Sequence, residues 1–118
     1  MIDVPRERFE ELVAHALDGI PHELGRHIDN VAVFVEEVAP EGGLLGRYEG
    51  VPLTRRDSGY GAYGNLVMPD RITLYRRAIC AMAGSEDEVV EQVRVTVVHE
   101  VAHHFGIDDD RLIELGYG

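Results

Sequence analysis

The stretch Ser85–Gly106, SEDEVVEQVRVTVVHEVAHHFG, decides how this chain is read. Val89, Val93, Val97, Val101 and Phe105 recur every four residues, and Val90, Val98 and Ala102 widen the row into an apolar stripe. That period belongs to a helix with one buried face. So much valine runs against intrinsic helix propensity. The end signals nevertheless agree with a helix: Ser85 and Glu88 form an S-x-x-E capping box, and Gly106 is a stop. Val97, Val101 and Phe105 are expected to bury this helix, turning its other face to a groove.

That other face carries H-E-x-x-H as His99, Glu100 and His103. Residues four apart on a helix stand one above the other, so the two imidazoles can grip one cation. Glu100 is turned by about 100° from His99, which suits a general base bordering the cleft rather than a third chelator. Zinc needs another protein ligand and an open fourth position for water. Gly106 reverses the chain, and three residues later Asp109 completes H-E-x-x-H-x-x-G-x-x-D. Asp108 and Asp110 flank it, and spacing does not choose among the three. Zinc held there lowers the pKa of its water towards ~7 and polarises a scissile carbonyl, with Glu100 moving the proton to the leaving amine. The competing reading is a solvated polar face with no metal; the buried opposite stripe, the turn glycine and the acid at ligand spacing weigh against it. His104 points elsewhere and is expected to pack or to support the site. His15, His22 and His27 lack ligand spacing and are read as surface or core residues.

Upstream, DVPRERFEELVAHALDGIP places Phe9, Leu12, Val13, Ala16, Leu17 and Ile20 on one helical stripe. Asp3 is the expected cap, Pro5 fits the first turn, and Gly19 with Pro21 ends the helix. HELGRHI adds a short turn of helix. NVAVFVEEV, with Val31, Val33 and Val35 alternating, reads as a strand. The Gly- and Pro-punctuated residues from Ala39 to Pro69 read as a long loop holding one short strand. RITLYRRAIC reads as a second strand, at a sheet edge because Arg76 and Arg77 lie inside it. DDRLIELGYG is expected to form a final short helix burying Leu112, Ile113 and Leu115.

Composition narrows the function. The chain has 118 residues with 22 acidic against 11 basic side chains, a formal charge of −11. One domain over 1–118 is expected. A nucleic-acid partner is excluded by charge, since phosphates demand a basic face and the pairs Arg55–Arg56 and Arg76–Arg77 are isolated. No segment approaches the ~20 apolar residues that span a membrane, and the charged N-terminus lacks a signal-peptide core. Cys80 is the single cysteine, read as a buried thiol in a reducing compartment. A cytoplasmic, soluble protein is the expectation.

GYGAYG, residues 59–64, spells G-x-G-x-x-G. A dinucleotide-binding turn needs a strand before and a helix after; TRRDS precedes and Pro69 blocks a helix, so nucleotide binding is set aside. A loop over the cleft, with Tyr60 and Tyr63 closing on substrate or covering the core, is expected instead.

Taken together, FEELVAHALDGIP, DNVAVFVEEV, LLGRYEGVPLT, PDRITLYRRAI and VVHEVAHHFGIDDDRLIELGYG resemble the small bacterial zincin-like proteins, the minimal zincins. The resemblance covers nearly the whole chain. It implies an α+β fold: a short mixed sheet, an N-terminal helix, a long metal-site helix and a short C-terminal helix. It further implies a Zn2+ cofactor held by His99, His103 and Asp109, with Glu100 as catalytic acid/base. The Gly106 spacing is also similar to the metzincin peptidases, though no Met-turn follows. Zincins hold substrate as an added strand at a sheet edge, which makes RITLYRRAI the candidate for docking. A zinc-dependent peptidase acting on a peptide or protein substrate is thus expected. The alternative is a non-catalytic metal-binding or protein-interaction module with a structural zinc, which a chelator-dependent fold would favour.

Overall fold

The computed structural model describes residues 1–28, 31–50 and 69–117. The long helix appears as expected, as Glu86–Phe105, here α4. The Ser85 side chain accepts from the Glu88 N–H at 3.2 Å, while the Glu88 carboxylate accepts the N–H of Gly84, one residue before the cap, at 2.6 Å. Gly106 ends the helix in the left-handed region, φ 71°.

Before it come α1 (Arg6–Asp18), α2 (His22–Ile28), β1 (Val31–Glu36), β2 (Gly46–Glu49), β3 (Asp70–Tyr75) and α3 (Arg76–Ala81); α5 (Asp109–Glu114) follows it. Helices with a short mixed sheet make the expected α+β arrangement. The sheet order is β1-β3-β2, with β1 parallel and β2 antiparallel to β3.

Two expectations about 71–80 are overturned. The strand stops at Tyr75, and Arg76 opens a helix. β3 is also the centre of the sheet, not its edge. Ile72, Thr73, Leu74 and Tyr75 are all buried, as a strand covered on both faces must be. Arg76 is tolerated just beyond it because the Glu37 carboxylate accepts its Nε and Nη2, and the Val4 carbonyl accepts Nη1. The charges mark where the strand ends.

α1 buries Phe9, Leu12, Val13 and Ala16 as its stripe predicts. Its cap differs. Pro5, not Asp3, occupies the N-cap, and no side chain caps the helix. Asp3 instead lies 3.5 Å from Arg76, almost wholly exposed.

α4 touches two cores. Val89, Val93, Val97 and Val101 join Phe9, Leu12, Ile72 and Leu74 in the larger one. Val98 and Ala102 face the smaller one with Leu24 and Leu112. Each fully buried valine contributes about 1.5–3 kcal/mol of apolar burial, enough to outweigh its weak helix propensity. Phe105 departs from the expectation at 43% exposed: it is the last helical residue, beyond the core, and its ring meets His27 at 4.6 Å. Ile113 is likewise exposed and Leu115 half-buried, because one and a half turns of α5 present only Leu112 inward.

Cys80 is buried as expected, and desolvation pushes its thiol pKa up. Among the described residues no helix is long and apolar enough to cross a membrane. The GYGAYG segment, with Tyr60 and Tyr63, lies outside the described residues.

Candidate metal centre on the long helix

β2 meets α4 at unusually close range. A Cβ on Gly46 would lie 2.8 Å from the Thr96 methyl and 3.1 Å from the Thr73 carbonyl oxygen. Only glycine lets the strand approach the helix this closely. Two residues along β2, the Tyr48 N–H donates to Oε1 of Glu100 at 3.0 Å. A cleft of ≈ 400 Å³ opens beside this contact, between residues 43–46 and the helix positions Val95, Thr96, His99 and Glu100.

His99 and His103 sit one turn apart, with ring centroids 6.0 Å apart and planes at 74°. His99 is half-buried and His103 exposed. Two imidazoles one helical turn apart are donors of the type a zinc ion takes.

The third donor is not in place. Among the described residues, no group of three His, Cys, Asp or Glu side chains converges on one cation position. Asp108 caps α5, accepting the Arg111 N–H at 2.8 Å, and its oxygen is engaged there. Asp109 and Asp110 lie in the first turn of α5, both exposed. Nε2 of His99 instead lies 3.0 Å from the Tyr117 carbonyl oxygen.

His104 supports rather than joins the pair. Its ring stacks on Tyr48 at 4.0 Å and 22°, and its Nε2 lies 3.8 Å from Oδ2 of Asp70. The Tyr48 hydroxyl donates to the same oxygen at 2.7 Å. Tyr48 thus ties the sheet to Glu100 through its backbone and to Asp70 and His104 through its side chain. Neither Tyr48 nor Asp70 was identifiable from spacing. Each stands in a strand with no ligand or base pattern, and only the antiparallel pairing of β2 with β3 brings them together.

A solved structure described as a conserved hypothetical protein from Thermo thermophilus is similar to this chain. It shares 28% identity at a TM-score of 0.54, over 86% of this chain and 94% of that one. No functionally curated protein matches. The sequence model of the zincin-like metallopeptidases matches residues 28–118, which takes in the sheet, the His99–Glu100–His103 helix and α5. The chain belongs to the zincin-like metallopeptidase family.

Proposed function

We propose that this chain is a zinc-dependent hydrolase of peptides, working as one domain over residues 1–118. His99 and His103 hold the metal with Asp109 as third ligand, and Glu100 is the general base and acid. The observation that carries this reading is the Tyr48–Glu100 hydrogen bond beside the paired imidazoles. It sets the carboxylate at the cleft, one residue from the first metal donor. Zinc bound there would supply Lewis acidity, polarising a carbonyl and lowering the pKa of water towards ~7. Glu100 accepts a proton from the attacking water on its carboxylate and returns it to the leaving amine nitrogen.

The docking edge moves from the sequence expectation. β3 is central and has no edge to offer, whereas β2 borders the cleft and is an edge strand among the described residues. A peptide laid along β2 is held through its backbone, which gives affinity without demanding one side chain.

Zinc stoichiometry by elemental analysis, on protein purified without an affinity tag, tests the reading. The expected result is one zinc per chain, lost in His103→Ala and in Asp109→Ala but kept in Glu100→Gln. The last variant should then fail to cleave a peptide library that the wild type cleaves. A wild type that takes no zinc even after reconstitution would sink the proposal. The structural-zinc alternative draws support from the Tyr117–His99 contact, which brings the end of α5 onto the metal helix. Unfolding on chelation, with no cleavage by the loaded protein, would favour it.

A further inference from the structure

β2 keeps step with α4. Two residues of strand advance about 6.7 Å and four residues of helix about 6 Å, so contacts between the two can repeat. They do so three times. A Cβ on Gly46 would meet Thr96, the main chain of Tyr48 bonds Glu100, and a Cβ on Gly50 would lie 2.9 Å from Cε1 of His104. Where Glu100 is gripped is thus set by where Tyr48 sits on its strand.

That grip divides the Glu100 carboxylate. Oε1 accepts the Tyr48 N–H at 3.0 Å, and Tyr48 is the single hydrogen-bond partner of Glu100 among the described residues. Oε2 is left to take a proton. A general base works best when the oxygen that receives the proton is held in one direction, and anchoring its twin does this.

Tyr48 is itself held at its far end. Its hydroxyl donates to Oδ2 of Asp70 at 2.7 Å, and its ring stacks on His104. Asp70 opens β3 two residues before Ile72, the partner of Tyr48 across the sheet. This is the diagonal place that a long aromatic side chain can reach. The Asp70 side chain is only 15% exposed. One residue is therefore tied to β3 by its hydroxyl and to α4 by its main chain.

We propose that Asp70 is a positioning residue for Glu100, acting through Tyr48. By holding the hydroxyl, Asp70 fixes the rotation of Tyr48 about its strand and so the direction of the N–H that anchors Oε1. This inference rests on the reading of Glu100 as the general base.

Two variants test it on the full chain. Tyr48→Phe deletes the hydroxyl but keeps the ring and the N–H, and Asp70→Ala deletes the acceptor. In the zinc-free protein, hydrogen exchange at the residue-48 amide is compared with that at Arg47, which faces Thr73 across the sheet. Each variant should quicken residue 48 relative to Arg47 by roughly fivefold, the worth of one net hydrogen bond. The double variant should go no further, since both changes cut one chain of contacts. A merely structural role would quicken both amides alike.

The zinc-loaded proteins are then assayed on the peptide that the wild type cleaves fastest in a library. In both variants kcat should fall by roughly fivefold, with KM and zinc affinity unchanged. Wild-type kcat in both, or no relative change at residue 48, overturns the role of Asp70 and leaves the peptidase reading standing. Additive losses in the double variant overturn the route through Tyr48. A zinc-loaded wild type that cleaves nothing overturns both readings.

Discussion

The Tyr48 main-chain N–H donates to the Glu100 carboxylate at 3.0 Å, joining β2 to the helix that carries the candidate metal ligands. The bond spans 52 residues of sequence and depends on Gly46 letting β2 lie against α4. The position of the candidate base is thus set by how closely sheet and helix pack.

Gly46→Ala should damage the site from a distance. The added methyl meets the Thr96 side chain and the Thr73 backbone, and overpacking of this kind costs about 1–3 kcal/mol. Thermal unfolding should show the loss, and peptide cleavage by the zinc-loaded protein should fall further than stability alone explains. A melting temperature equal to wild type would refute the close-packing account.

His104→Ala separates the neighbouring histidines. It removes the ring stacked on Tyr48, worth about 0.5–1.5 kcal/mol, without touching the pair His99 and His103. Zinc stoichiometry should stay at the wild-type level while stability drops. Loss of zinc here, with His103→Ala still loaded, would reassign the ligands.

Ser85→Ala removes the acceptor for the Glu88 N–H. A lost cap of this kind costs about 1 kcal/mol. Chemical denaturation should show that loss as a lower midpoint with an unchanged slope, and zinc affinity should not move, because the cap lies far along α4 from His99.

Acid should loosen α5. The Arg111 guanidinium, hydrogen-bonded to Glu23, holds the Glu23 carboxyl below its ordinary value of 4.5. A carboxyl lowered in the folded state stabilises above its unfolded pKa, and that stability fades as pH falls through the folded value. Hydrogen exchange at Leu112 and Tyr117 should therefore quicken below about pH 4.5, and Arg111→Gln should abolish that pH dependence. An identical profile in the variant would show that the pair does not hold α5.

Arg76→Ala probes the end of the central strand. It leaves Glu37 and the Val4 carbonyl without their guanidinium partner and should lower stability. Arg76→Leu, which restores apolar packing but not the bonds, should recover little of it in a denaturation midpoint.

The features legible in the sequence share one cause: they depend on residues a few positions apart. The four-residue valine period, the Ser85 cap and the Gly106 stop define α4, and helical geometry alone then puts His99 and His103 on one face. The Phe9–Ala16 stripe predicts α1 in the same way. RITLYRRAIC misleads because the arginines read as an edge when they mark a strand's end, and only the partners Glu37 and Val4, 39 and 72 residues away in sequence, reveal why. Asp108, Asp109 and Asp110 look equivalent as letters. Folding commits Asp108 to a helix cap and leaves Asp109 in the following turn, since a cap is chosen by local backbone geometry and a metal ligand by convergence in space. The sequence by itself determined α1, α2, α4, α5 and the imidazole pair, through periodicity and short-range contacts. The tertiary structure alone decided strand order, the Tyr48 grip on Glu100 and the Tyr117 contact with His99, because each joins segments whose approach depends on how the whole core packs.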